Sequence, residues 1–403
     1  MCDTLCGTGP DGMIFAKNSD RPAGEVQLTV PFGRRNTQGC TLRTQYLSIG
    51  DTGAHAALLS CPTWLWGAEH GVNEYGVAIG NEKVGTTNDA AHARPALIGM
   101  DLVRLGLERA RTAREALEIM TDLLEVHGQG GIADAAHQEA YDSSFLIADA
   151  DGAFILDTSG SAYAAAPFPD GTAISNRLSV RTEWTVGSPA LEDGEDFDRY
   201  RDTEENTAHA DVRLAASRRF LHDHRSGGLT PATMAAHLRD HGDGPWGAPG
   251  NRGPAQPPPT AMARDFSDVT VCMHAGDYSV TTSSLIAVLP AERASGRTVR
   301  AFVALGSPCT SVYVPAFPST FGGPPGVVPR QLWSEEMWRA ADAVRVHVQS
   351  DPDAIHAVRA VLDPIEDELW AEADEILEEP GRWAEVGADW GQRALDGLRA
   401  SVS

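Results

Sequence analysis

The chain has 403 residues, of which 42% are apolar and 22% charged, and its formal net charge is −24. That length can bury a sizeable core and leaves room for two or three domains. The composition is that of a globular protein. The acidic excess argues against nucleic acid and anionic membranes as partners, because phosphate contacts need basic patches.

The first residues, Met1 to Cys6, carry no basic region followed by an apolar one, so no export signal is expected. No run reaches the roughly 18 apolar residues of a membrane span. Both observations point to a cytoplasmic protein. Six cysteines, at 2, 6, 40, 61, 272 and 309, are scattered and form no CxxC pair. They are expected to be free thiols in a reducing compartment. Cys272 and His274 read as an isolated pair, so neither a metal site nor a cofactor is expected. Gly7-Thr8-Gly9 lacks the Gly-Lys-Ser/Thr ending of a phosphate loop. Lysine occurs only at 17 and 83.

In chain order, residues 2–7 read as a strand, Pro10-Asp11-Gly12 as a turn and Met13–Lys17 as the returning strand. This hairpin brings Lys17 and Asn18 beside Cys2 and Asp3. Strand-like runs follow at 41–49, 54–60 and 75–81. Residues 98–127 are helical by their leucine spacing, with a second helix starting at the Thr112/Glu115 capping box and stopping at Gly128. Residues 143–149 and 153–158 read as strands joined by a tight turn, and another strand leads to Asn176. The turn at Asp149–Gly152 lacks the remaining ligands of a calcium loop.

From 186 to 262 the composition shifts. An acidic patch precedes helices near 211–224 and 231–240, and a Gly/Pro-rich run covers Gly242 to Pro259. This stretch reads as an insertion ending in a flexible loop or lid. Strands return at 269–274, 281–289 and 298–305. Residues 330–403 read as a helical segment packed on a core spanning 2–329, with Trp333, Trp338, Leu362, Leu369 and Trp370 as core contacts. Many antiparallel strands with grouped helices give an α+β class of layered sheets.

Chemistry concentrates at the N-terminus. Removal of Met1 would leave Cys2 with a thiol and an α-amine on one residue, with ordinary pKa values of about 8.5 and 7.7–8.0. Nucleophile and base then come as a unit. Lys17 is a cation that would favour the thiolate, and Asp20 a carboxylate that would orient the α-amine or bind a substrate's ammonium. Asn81 and Asn176 each end an apolar strand and could donate to a developing oxyanion, although asparagine there is also ordinary turn chemistry. Trp64, Trp66 and Glu69 either line a substrate pocket, with Glu69 meeting a free α-ammonium, or form a core pair beside a solvated carboxylate. Lys83 reads as solvent-facing.

Cys2-Asp3-Thr4, the run Ile14–Pro22, the run Trp64–Glu69, the run Asn73–Glu82, the run Gly99–Arg109 and His127-Gly128-Gln129-Gly130-Gly131 together resemble the secernins, cysteine dipeptidases of peptidase family C69. The resemblance is dense over about residues 2–180, thinner at 269–290 and weak in the insertion and tail. It implies a four-layer αββα N-terminal nucleophile hydrolase sandwich, with Cys2 as nucleophile, and no metal. More distant relatives, the bile salt hydrolases and penicillin V acylases, share that plan. Their Arg-Asn-x-Asp motif maps onto Lys17-Asn18-Ser19-Asp20, and their oxyanion asparagines are similar to Asn81 and, more loosely, Asn176. Lysine at 17 departs from their arginine and cannot make the same planar bidentate contacts. A further arginine of those relatives finds no match.

The expectation is a cysteine-type hydrolase that cleaves dipeptides or small peptides through an acyl-enzyme on Cys2. An amidase or acyltransferase on a non-peptide amide, and a secernin-like regulatory protein without activity, stay open. So does a homo-oligomer.

Overall fold

The computed structural model describes residues 1–402 apart from 38, 205–206, 243–268, 277, 291–297, 320, 322–325 and 352. The chain opens with a hairpin of β1 (Cys2–Gly9) and β2 (Gly12–Arg21). Gly12 has φ +131°, a conformation that glycine reaches without strain, and this closes the turn. β3 (Gln27–Phe32) follows. The run expected as one strand over 41–49 is instead two short strands, β4 (Thr41–Arg43) and β5 (Ser48–Gly50), paired with each other. Next come β6 (Ala57–Pro62), β7 (His70–Asn73) and β8 (Ala78–Val84).

The helical stretch divides where the capping box placed the break. α1 (Gly99–Arg109) ends before α2 (Ala113–His127), whose first turn is capped by Thr112 Oγ1 accepting from Glu115 N at 3.0 Å. Gly128, at φ +71°, stops α2. Then follow β9 (Ile132–Asp134), β10 (Glu139–Ala140), β11 (Asp142–Asp149), β12 (Gly152–Ser159), β13 (Ala162–Phe168), β14 (Gly171–Ile174) and β15 (Val186–Gly187). α3 (Ala208–Asp223) and α4 (Pro231–Leu238) precede β16 (His274–Ala275), β17 (Ser279–Pro290), β18 (Arg300–Leu305) and β19 (Val314–Ala316). The strand expected over 269–274 is reduced to β16. The chain ends in α5 (Glu335–Ser350), α6 (Ala354–Glu375), α7 (Trp383–Val386) and α8 (Trp390–Ala400).

The strands form two main antiparallel sheets. One runs β14-β1-β2-β17-β18-β19, with β16 paired to β17, and the other β15-β13-β12-β11-β8-β7-β6-β3. Their facing sides share one core, with Cys6, Phe15, Leu285 and Val303 against Leu58, Val72, Leu146 and Ile155. α1 and α2 cover the back of the second sheet through Leu102, Leu105, Leu117 and Met120, which pack on Ile79, Phe145 and Ile147. α3 and α4 cover the back of the first through Leu214, Met234 and Leu238, which pack on Leu5, Ile14 and Ile286. The layer order is therefore αββα, as expected.

Met337, Trp338, Leu362, Trp383 and Trp390 of the last helices join the core between the sheets, each burial contributing roughly 1.5–3 kcal/mol. Trp333, expected in the core, is 42% exposed because it sits in the turn before α5. The helices of the 186–262 stretch form an outer layer of the sandwich and do not hang from it. The expected lid at Gly242–Pro259 falls, beyond Gly242, outside the described residues.

Candidate active site

The β1–β2 register pairs Cys2 with Ser19, Asp3 with Asn18 and Thr4 with Lys17. Because side chains alternate across a strand, Cys2 and Thr4 share the face between the sheets with Lys17, Ser19 and Arg21, while Asp3, Asn18 and Asp20 share the opposite face, toward α3 and α4. The hairpin thus divides the charged residues near Cys2 into two sets.

On the inner face, Lys17 is fully buried. Its ammonium donates to Asn81 O at 2.6 Å and Glu82 Oε1 at 3.1 Å, and Thr4 Oγ1 donates to the same carboxylate oxygen. A Cβ at residue 80 would lie 2.6 Å from Lys17 Cδ, so β8 needs glycine where the lysine stem crosses it. Burial opposes the charge on Lys17, but the neighbouring Cys2, Glu82 and Glu69 outweigh it and hold the ammonium protonated. Arg21 donates to Glu25 Oε1 at 2.7 Å, Glu69 Oε1 at 3.1 Å and Tyr141 Oη at 3.2 Å.

On the outer face, Arg213 of α3 makes the central contacts. It donates to Asp3 Oδ2 at 2.6 Å, Cys2 O at 3.2 Å and Asn176 Oδ1 at 2.7 Å, and lies 3.6 Å from Asp20 Oδ2. Asp20 Oδ1 also accepts from Thr281 Oγ1 at 2.7 Å. Burial pushes both Asp3 and Asp20 up to about 6, and Arg213 opposes this. Asn18 donates to Leu238 O at 2.8 Å and Val271 O at 2.9 Å, tying β2 to the end of α4 and to the chain before β16.

Cys2 itself is only 4% exposed. Its backbone N donates to Asn176 Oδ1 at 2.7 Å, and its Sγ accepts from Asp20 N at 3.4 Å. The Met1 ammonium donates to Asp20 O at 3.0 Å. Burial pushes the Cys2 thiol up, Lys17 and the N-terminal ammonium pull it down, and Glu69 and Asp20 add to the rise. Cys6, without a nearby cation, is pushed up to about 12.

The structure therefore brings Cys2, Lys17, Asp20 and Asn176 together. Asn176 presents its oxygen to Cys2 N, while its NH2 donates to Lys83 O at 2.9 Å. Asn81 places its carbonyl on Lys17. Its amide, oriented to satisfy its neighbours, donates to Glu69 Oε2 and Glu69 O, each at 2.9 Å. Glu69 is 2% exposed, so the solvated reading of that carboxylate fails. Trp64 and Trp66 do not act as a pair. Trp64 packs with Ile98, Met100 and Tyr141, close to Arg21, whereas Trp66 stacks on Arg104 at 4.2 Å, away from Cys2. Lys83 pairs with Glu139 at 2.5 Å and is a third exposed.

Arg213 was missed by the sequence reading. It lies in the stretch read as an insertion, and its helix carries no motif. A buried arginine on a helix facing a hairpin with an acidic residue on each strand becomes apparent only once α3 is docked. The pair Cys272 and His274 is not isolated either, because His241 and Cys309 converge on it.

Buried Cys2 thus sits at the start of β1, on the face between the two sheets. The sequence model of Peptidase family C69 matches residues 53–183, so the resemblance to that family is found independently of the motifs around Cys2. The matched span holds Trp64, Trp66, Glu69, Asn81 and Asn176, and excludes Cys2, Lys17, Asp20 and Arg213. Among solved structures the chain is similar to a C2A mutant of conjugated bile acid hydrolase from Clostridium perfringens, at 10% identity and TM-score 0.43, covering 75% of this chain and 88% of that one. It is also similar to the Caenorhabditis elegans N-acylethanolamine-hydrolyzing acid amidase ortholog, at 10% identity and TM-score 0.39, covering 73% and 95%. A third is penicillin V acylase from Agrobacterium tumefaciens, at 11% identity and TM-score 0.39, covering 76% and 83%. Among the described residues no helix is long and apolar enough to cross a membrane.

Proposed function

We propose that the protein is a cysteine dipeptidase that acts through an acyl-enzyme on Cys2 after loss of Met1. The observation that carries this reading is the 2.7 Å contact between Cys2 N and Asn176 Oδ1, with Cys2 on the strand face that it shares with Lys17. Once Met1 is gone, that nitrogen is an α-amine held in place by Asn176. It takes the thiol's proton as Cys2 Sγ attacks the scissile carbonyl, and gives a proton to the leaving amine when the C–N bond breaks. Water then cleaves the thioester and regenerates Cys2. Lys17 stabilises the thiolate. Asn81 and Asn176 are the proposed oxyanion donors, and Asn81 must release one of its two contacts with Glu69 to serve.

Glu69 is buried beside Arg21 and Asp20 beside Arg213, and either carboxylate could receive a substrate's α-ammonium, with Trp64 as an apolar wall. A reducing, cytoplasmic setting fits six cysteines that all stand as free thiols.

Intact-mass measurement before and after iodoacetamide, followed by a panel of dipeptides and non-peptide amides with an added amine acceptor, tests the proposal. Absence of Met1, alkylation mapped to Cys2 in a Cys40→Ser background that removes the exposed thiol, and turnover of free-amine dipeptides support it. Retained Met1 or an inert Cys2 sinks the mechanism. Acyl transfer outrunning hydrolysis sinks the dipeptidase assignment.

A further inference from the structure

A second cysteine-bearing cluster lies in the first sheet's outer layer, built from three separate segments. His241 follows the end of α4, Cys272 and His274 lead into β16, and Cys309 sits in the 3-10 turn Pro308–Thr310 before β19. All four are buried, at 4%, 0%, 2% and 4% exposure. One donor atom from each lies within 4.8 Å of every other. Cys272 Sγ is 3.5 Å from His274 Nε2, which is 3.2 Å from Cys309 Sγ.

Those spacings can be compared with the geometry of a metal. Tetrahedral zinc with Zn–S near 2.3 Å and Zn–N near 2.0–2.1 Å sets neighbouring donors about 3.3–3.8 Å apart, the edge of the tetrahedron being about 1.6 times the bond length. The two measured separations fall at or just below that range, and the 4.8 Å limit leaves the others only a short contraction away. The donor set is two sulfurs and two imidazoles with no carboxylate, which selects zinc over calcium or magnesium.

We propose that His241, Cys272, His274 and Cys309 bind one zinc ion. Binding involves no redox change: each thiol releases its proton to solvent, and each imidazole donates a lone pair. Four protein ligands leave no open position, so the site is structural. It clamps the end of α4, the 272–274 segment and the turn before β19. The clamp reaches the Cys2 cluster through the backbone, since Met273 N donates to Thr281 Oγ1 at 3.0 Å and Thr281 Oγ1 donates to Asp20 Oδ1. Asn18 bridges the same two flanking segments through Leu238 O and Val271 O.

The test uses the full chain, purified reduced and without chelator from zinc-supplemented cells. Zinc is counted by inductively coupled plasma mass spectrometry, and the apo protein is titrated with cobalt(II). The expected result is about one zinc per chain and, with cobalt, the visible bands of a tetrahedral ion with a thiolate charge-transfer band. Cys309→Ser and the milder His241→Asn should each cut retained zinc at least tenfold under chelator challenge. Cys2→Ala should leave it unchanged, which separates this site from metal held at the N-terminal thiol. Failure to bind zinc or cobalt in the reduced, folded wild type overturns the proposal. So does zinc retained undiminished in both ligand variants, or a Cys272–Cys309 disulfide in protein isolated under reducing conditions. None of these outcomes depends on peptide cleavage.

Discussion

The Cys2 cluster and the His241–Cys272–His274–Cys309 cluster are both buried, and both contain cysteine, yet they are built in opposite ways. Around Cys2 the thiol sits among full charges: Lys17, Arg21 and Arg213 against Asp3, Asp20, Glu69 and Glu82. Around Cys272 the partners are a thiol and an imidazole. A buried ionic cluster can tune a nucleophile, because small changes in neighbouring charge move its pKa. A cluster of thiol and imidazole donors suits an ion that brings its own charge. The two sites are linked through Met273–Thr281–Asp20 and through Asn18, and each has its own readout.

The largest effect should come from Cys2→Ala. If Cys2 is the nucleophile, kcat on a cleavable dipeptide falls by roughly 10⁴-fold or more, as when other hydrolases lose theirs, while zinc content stays the same. A loss of both would break the separation between the two clusters.

Arg213→Ala comes next. It strips Asp3 of its 2.6 Å partner in a fully buried position and should cost about 3–5 kcal/mol of unfolding free energy, measured by urea titration. An unchanged stability would mean that the outer-face carboxyls are already neutral.

A smaller effect is expected from Lys17→Met, which removes the nearest cation from Cys2. The midpoint of the alkylation rate against pH at Cys2 should move upward, because the loss of the cation leaves burial less opposed. No movement would show that Lys17 serves Glu82 alone.

The smallest effect concerns pH. Asp3 and Asp20, pushed up to about 6 by burial, hold their protons in the folded chain to higher pH than in the unfolded one, where the ordinary value is 3.8. The stability this brings is fully present below about pH 4 and is lost as pH rises through 6. Other buried groups titrate nearby, so the useful quantity is the difference between wild type and Asp20→Asn. That difference should change by on the order of 1 kcal/mol between pH 5 and pH 7. A flat difference would mean that Asp20 is ionised throughout.

How legible each part was in the sequence follows from its range along the chain. The β1–β2 hairpin, the break between α1 and α2 at Thr112 and the α+β class rest on local signals: turn residues, a capping box and apolar periodicity. The convergence of Cys2, Lys17 and Asp20 follows from one turn at Gly12. Asn176 was named as an oxyanion donor from its place at a strand end, but which of its amide atoms faces Cys2 depends on how β14 pairs with β1, and there the oxygen faces Cys2 N. Trp64 and Trp66 read as a pair because they are two residues apart, yet Arg104 draws Trp66 to its own side.

The sequence by itself determined the N-terminal hairpin, the nucleophile candidate beside a lysine, and the family resemblance, because each is carried by residues close together in the chain. Only the tertiary structure decided that α3 supplies Arg213 to the backbone of Cys2, that Glu69 is buried against Arg21, and that Cys272 and His274 meet His241 and Cys309. Those contacts join segments far apart in sequence. They form because sheets and helices must bury their apolar faces against one another, and the polar groups brought in at the seams must then find partners.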